Sequence, residues 1–356
     1  MSKKTQPISN DPKMNYFFII QTMIFSYGGL NIHRMKLRVN KLKLKHWPCQ
    51  EVSKFGEINC ILGNEKEKTL MIAAGVKTLL VSNSKDKQSI IDYQNHHKVI
   101  LNMSVINNMT IYHYFGDSLI IYAGDIPVHM SSMMPIIGMS QGNYATCCKS
   151  MAHEDKHYYF LSNTNKLIKI DLLTLFETEI GYLIDDFCLV DSKSFFVMTC
   201  TGYITWLSID GRESKQKLEI TEDRYRCMTA TRNSALLSIY DESSSSCTIC
   251  MYRIDNIEPV CIFKTDKCES KYYIKYLRYL QIKKLEVIIA VRASMFIDIL
   301  MIDKYNIVML RDNIRINKDF HDVSTNGIYI SNSSQHDYCN MMVYGYKFIT
   351  NVKIAK

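Results

Sequence analysis

YYFLSNTNKLIKIDL, Tyr158 to Leu172, holds two short runs of different character. The first, YYFLS, is almost uniformly apolar, while the second, KLIKIDL (Lys166 to Leu172), alternates apolar and polar residues. Between them stand Asn163, Thr164 and Asn165, residue types that bond their own backbone and so favour turns. An apolar run too short for a helix, a turn and a period-two run read together as a buried strand followed by a half-buried one.

The same unit recurs along the chain. It begins at LMIAA (Leu70), DSLIIY (Asp117), YYFLS (Tyr158), FFVMT (Phe195), ALLSIY (Ala235), EVIIAV (Glu286) and GIYIS (Gly327). The starts lie about 40 to 50 residues apart, the spacing of four-stranded propeller blades and not of helical repeats. YITWLSI (Tyr203 to Ile209) alternates as KLIKIDL does, and no long segment carries a 3.6-residue apolar stripe with caps at both ends. The fold class expected is therefore all-β, a seven-bladed β-propeller occupying residues 15–356 as one domain behind a flexible leader, 1–14. An eighth blade or a two-domain β chain is the alternative. A propeller closes when a strand from one terminus completes the sheet of the other. NMMVYGYKFITNVKI (Asn340 to Ile354) and YFFIIQTMIF (Tyr16 to Phe25) are the expected closing segments.

With 356 residues and 47% hydrophobic composition, the chain has enough apolar side chains to bury a large core. Its net charge of +8 suits an acidic or nucleic-acid partner without requiring one. YFFIIQTMIF is well short of the roughly 20 residues of a membrane helix, and no small-residue cleavage site follows it, so a soluble intracellular protein is expected. Twelve cysteines without regular spacing suggest reduced, buried thiols more than a disulfide framework.

Three motifs imitate chemistry. HEDKH, His153 to His157, has the H-E-x-x-H form of zinc peptidases, which works only on a helix, where i, i+4 spacing brings both imidazoles to one metal. The strong strand that follows argues for a polar inter-strand loop in which the two histidines do not converge. GMSQG, Gly138 to Gly142, has the nucleophile-elbow form, but the chain lacks the alternating strand and helix pattern that places such a serine. CTIC, Cys247 to Cys250, lies in an alternating run, where residues three apart point to opposite faces, so core or edge cysteines are expected. No catalytic residue, metal ligand or cofactor is expected, and a hydrolase using GMSQG or HEDKH is the last of the readings.

RMKLRVNKLKLKH, Arg34 to His46, carries ordered bases. Arg34, Lys36 and Arg38 form one alternating series and Lys41, Lys43 and Lys45 a second, displaced by one residue across Asn40. A turn or bulge at Val39-Asn40 would let both face solvent and contact phosphates. The alternative is a solvated outer strand protected from edge pairing by its lysines. Trp206, in a strand pattern, is expected between blades, and Trp47, after the basic run, partly exposed.

CTGYITWLSIDG, Cys200 to Gly211, resembles a WD-repeat blade in which a glycine turn precedes an alternating strand; Leu207 and Ser208 stand where the Trp-Asp pair would be. The expected fold is thus WD40-like and degenerate. The middle of the chain resembles the non-catalytic WD-repeat subunit of the tRNA (guanine-N7)-methyltransferase. FGD (Phe115 to Asp117), PIIG (Pro135 to Gly138) with the Ser140 turn, YYFLSNTNKLIKI and CTGYITWLSIDG are similar in order and spacing to that family's segments. Asn163, Thr164, Asn165 and Lys166 replace the family's acidic and arginine cluster, and Gly138-Met139 its Gly-His. The resemblance implies a scaffold without catalytic residues. It would form a heterodimer with a methyltransferase subunit, the only one to bind S-adenosylmethionine, and act near tRNA, with the nucleus favoured over the cytoplasm. It further implies that Lys169 makes a salt bridge to that partner. A generic protein-binding scaffold of another intracellular complex is the alternative.

Overall fold

The computed structural model describes residues 18–19, 38–42, 52, 54–64, 69–82, 90–115, 119–131, 150–153, 156–190, 193–211, 213–219, 225–241, 244–254, 256–264, 273–282, 285–292, 296–302, 307–315, 325–331, 338–345 and 348–355. Their regular elements are β-strands, arranged in seven antiparallel sheets. Six have four strands that follow one another in the chain, at 58–95, 100–130, 150–181, 184–219, 225–264 and 274–315. Tight turns make this meander possible. Asn107 and Asn108, at φ 48 and 63, join Ile100–Ile106 to Met109–Tyr114 by the two-residue loop whose left-handed residues match strand twist.

The first strand of a sheet touches the first strand of its neighbour. Ile58–Asn64 meets both Thr325–Ser331 and Ile100–Ile106, and Tyr225–Ala230 meets both Ile184–Val190 and Ile274–Ile282. First strands therefore lie innermost, and each sheet runs outward from them. The core is a series of apolar layers between adjacent sheets. Tyr158 and Phe160 pack with Ile111 and Leu119 of sheet 100–130. Tyr159 and Leu161 pack the other way, with Phe195 and Leu207 of sheet 184–219. YYFL is uniformly apolar because a second strand is covered on both faces.

That geometry also explains the repeat. LMIAA, YYFLS, FFVMT, ALLSIY and EVIIAV fall on second strands, whereas DSLIIY falls on a third, Leu119–Ala123, and GIYIS on a first, Thr325–Ser331. In sheet 100–130 the second strand, MTIYHY, carries Thr110 and His113, so its third strand is the more apolar. The long interval from Ala235 to Glu286 is filled by long strands, Ser234–Asp241, Ser246–Arg253, Asn256–Lys264 and Ile274–Ile282.

Closure differs from expectation. In the five-stranded sheet, Tyr338–Gly345 and Phe348–Ala355 come from the tail, as expected. The strand that pairs with Phe348–Ala355 is Arg38–Leu42, from the basic run, and Phe18–Ile19 of YFFIIQTMIF pairs only outside it. The turn or bulge at Val39-Asn40 that would let both basic series face solvent together is also absent. Register runs without a shift from Arg38↔Ala355 to Leu42↔Asn351, because each residue there is held by ladder pairing with the tail. Arg38 and Lys41 consequently occupy register positions of opposite parity; Arg34, Lys36, Lys43 and Lys45 lie outside the described residues, as do Trp47 and GMSQG.

His113 lies inside one of these layers. It is fully buried, and its Nε2 lies 2.8 Å from the Tyr158 hydroxyl, which lies 3.4 Å from Ser104 Oγ. Nδ1 has no hydrogen-bond partner among the described residues. An unmet N–H costs more than an unmet ring lone pair, so Nε2–H donates to Tyr158, whose hydroxyl donates to Ser104. Burial pushes the imidazole from 6.5 down to about 3. Between those values the unfolded chain binds a proton that the folded chain refuses, so stability falls as pH drops through the window, by about 1.4 kcal/mol per pH unit. Urea unfolding at pH 7 and pH 5 should show a loss of about 2 kcal/mol from this group. His113→Gln, whose amide can still donate to Tyr158, should flatten that acid limb; an unchanged slope would assign the limb to other residues.

Candidate docking cleft

A cleft of about 330 Å3 is lined by residues of sheets 150–181 and 184–219. Its floor is apolar, from Ile184, Val197 and Leu207, and its rim carries Tyr182, Leu183, Thr201 and Tyr203. Two backbone bonds shape the rim: Ile184 N–H donates to Asn165 O at 2.8 Å, and Cys200 N–H donates to Leu183 O at 2.8 Å. They hold Leu183 at φ 56, a left-handed conformation that a bulky side chain adopts only under constraint. Leu183 and its neighbour Tyr182, which is 70% exposed, are thereby presented to solvent at the mouth.

The opposite rim is polar and ordered. Tyr203 N–H donates to Thr199 Oγ1 at 3.0 Å, and Thr199 Oγ1 donates to Tyr203 O at 3.2 Å. Thr199 has then spent its only proton, so in the 2.9 Å contact between the two hydroxyls Thr201 donates. Among the described residues, Thr201 Oγ1 meets no hydrogen-bond partner at the mouth other than Thr199. On the outer side Lys166 pairs with Glu179 at 2.7 Å, an exposed pair of small energetic weight. Gly211, at φ 83, closes the cleft's far wall, where a Cβ would stand 2.9 Å from Ile180 O. An apolar floor with a few fixed polar groups is the usual build of a recognition site.

The outer strand Glu177–Gly181 also connects to a second apolar area. The turn before it exposes Leu173 by 83% and Phe176 by 69%. Glu177 Oε1 lies 2.8 Å from His129 Nε2, joining this strand to Ile126–Met130, the outer strand of the neighbouring sheet. There Ile126 is 68% and Met130 64% exposed.

Lys169 sits on Leu167–Asp171, the third strand, as the alternation predicts, with Tyr159 and Thr178 as its cross-strand partners. It is half-buried and forms no ion pair with a described residue. HEDKH is a hairpin: Ser150–His153 pairs with His157–Leu161, and His153 and His157 are direct register partners. The helix that zinc-peptidase chemistry requires is not there, yet the two histidine positions do oppose one another, contrary to expectation, because a tight hairpin brings its end residues together. His157 Nε2 lies 3.8 Å from Asp171 Oδ2. No group of three or more His, Cys, Asp or Glu among the described residues is placed to hold a metal ion. Cys247 is buried and Cys250 half-buried, on one strand, neither in a disulfide with a described residue. Trp206 is buried between sheets, as its strand pattern predicts. No helix among the described residues is long and apolar enough to cross a membrane.

Cleft and turn residues were missed by motif reading. The signal was present in LLTLFETEIGYLID (Leu172 to Asp185), where apolar side chains occupy turn positions that are ordinarily polar.

Radial four-stranded meanders, innermost first strands and a sheet completed from both ends of the chain define a β-propeller. Solved propellers superpose on it. The N-terminal domain of Nup159 is similar with a TM-score of 0.61 and 8% identity over 90% of this chain and 96% of that one. A second structure, of S. cerevisiae Dbp5 bound to Nup159, Gle1, IP6 and ADP, matches with a TM-score of 0.59 and 8% identity, covering 85% and 90% of the two chains. The Cps50 (Swd1) β-propeller domain of Myceliophteria thermophila gives 0.55 and 9%, over 88% and 98%. At such identities the likeness is one of fold. No protein-family model matches the sequence, and no curated protein does.

Proposed function

We propose that this chain is a non-enzymatic, protein-binding propeller whose docking surface lies around sheet 150–181. The observation that carries the reading is the concentration of exposed large apolar side chains, Leu173, Phe176, Tyr182 and Leu183, at the two ends of one outer strand. Apolar groups gathered in this way mark interaction surfaces more often than scattered ones do. A neighbour of the same fold, Nup159, has been solved bound to another protein, which supports the general reading.

In its most specific form the partner is the catalytic subunit of a tRNA (guanine-N7)-methyltransferase. The resemblance over Phe115 to Gly211 supports this, and it falls on the sheet that carries the exposed groups. In that form Lys169 contacts the partner, the basic run Arg34 to Lys45 contacts tRNA phosphates, S-adenosylmethionine binds the partner alone, and the complex works in the nucleus as a heterodimer built on one domain, 15–356. The generic scaffold differs only in its partner.

Affinity purification from native cells, with wild-type chain and with Leu173→Asp/Phe176→Asp, separates these. Loss of a captured protein from the double variant, at unchanged far-UV circular dichroism, is expected. If that protein stimulates guanine-N7 methylation of tRNA and is also lost with Lys169→Glu, the specific form holds; a different captured protein leaves the generic one. Equal capture by wild type and double variant would overturn the docking surface itself.

A further inference from the structure

Cys250 and Cys261 are direct register partners on neighbouring antiparallel strands, Ser246–Arg253 and Asn256–Lys264. Directly opposed residues in such a ladder share a face, with Cα atoms about 4.5 to 5.5 Å apart. A disulfide accepts about 4.4 to 6.8 Å. No other two cysteines are paired in this way among the described strands. The two thiols differ in access: Cys250 is half-buried and packs beside Trp206 and Leu237, whereas Cys261, on the outermost strand of its sheet, is exposed. Register shifts immediately beyond the pair, between Ile249 and Cys250, so Ile262 has no partner and the outer strand is bulged. Cys261 S–H donates to Phe263 O at 3.7 Å, across that bulge.

We propose that Cys250 and Cys261 are a reversible disulfide-forming site whose oxidant is a small-molecule disulfide, forming a covalent clamp that holds the bulged outer strand to its neighbour. The Cys261 thiolate attacks one sulfur of the reagent, forming a mixed disulfide and releasing one thiolate. The Cys250 thiolate then attacks the Cys261 sulfur and displaces the second. The two cysteine protons end on the two released thiolates, two electrons pass from protein to reagent, and one S–S bond replaces another. The order follows from access, since Cys261 is exposed and Cys250 only half so. Burial and the adjacent Cys261 push the Cys250 thiol up to about 11, so it is a poor first attacker; once the mixed disulfide forms, the second step is intramolecular and proximity favours it.

The test is treatment of the native full chain with oxidised glutathione, followed by tryptic mapping without reduction. Cleavage after Arg232, Arg253 and Lys264 places Cys250 in peptide 233–253, with Cys247, and Cys261 in peptide 254–264. The expected product is these two peptides cross-linked, with a mass lower by two hydrogens and no retained glutathione, and restored to separate peptides by a thiol. Cys247→Ser should keep the cross-link. Cys250→Ser should leave glutathione on Cys261, and Cys261→Ser should lose the reaction at this site. In the oxidised chain, amides of Asn256–Lys264 should exchange at least tenfold more slowly. Wild-type chain that retains glutathione on Cys261 beside a free Cys250, a cross-link from Cys261 to any other cysteine, or no reaction at Cys261 would each overturn the proposal.

Discussion

Trp206→Ala is expected to remove about 3 to 5 kcal/mol of folding free energy. The indole is buried between sheets 184–219 and 225–264, with its ring 5.0 Å from Phe196 in an edge-on arrangement and Leu237 and Tyr252 in the same apolar layer. Truncation removes the ring from two walls at once, and strands held by backbone ladders cannot collapse into the space. The indole N–H has no hydrogen-bond partner among the described residues. Trp206→Phe therefore loses area but also removes an unmet donor, and should cost about 1 to 2 kcal/mol less than the alanine change. Domains of ordinary stability have about 5 to 15 kcal/mol in total, so the alanine variant should unfold at visibly lower urea concentration by circular dichroism. A midpoint within error of wild type would mean that the layer repacks, contrary to the rigidity argued here.

The second large effect concerns the ion pair of Arg292 and Asp298, whose Nε–Oδ2 distance is 2.6 Å; Asp298 is buried and the Arg292 side chain is 12% exposed. Burial raises the Asp298 carboxyl above the usual range, and the guanidinium only partly offsets that. Arg292→Met would leave a buried carboxylate without its cation and should cost about 3 to 5 kcal/mol at neutral pH. Arg292→Met/Asp298→Leu, with no charge left to desolvate, should recover most of the loss. Lowering the pH should also rescue the single variant, because its carboxyl, protonated more easily in the folded chain than in the unfolded one, costs less once neutral. A double variant no better than the single one would show that the pair is held for its packing and not for its charge balance.

Strand content was legible because its signals are local. YYFLS and KLIKIDL declare their burial in their own composition, and Asn163 to Asn165 the turn between them. The expectations that failed depended on residues far apart in the chain. YFFIIQTMIF reads as a closing strand by its own pattern, but the tail pairs with Arg38–Leu42. HEDKH was correctly placed between strands, yet the opposition of His153 and His157 follows from the hairpin's register, which is invisible in residue types.

Sequence alone thus determined that this chain is all-β and repeats a four-stranded unit, because alternation, apolar runs and turn residues act within a few positions of one another. Tertiary structure decided which segment closes the ring, where Leu183 and Tyr182 border a cleft with residues of the next sheet, and that Cys261 stands opposite Cys250. Those outcomes depend on strand partner, on register and on which faces are covered by neighbouring sheets, none of which is fixed by a local pattern.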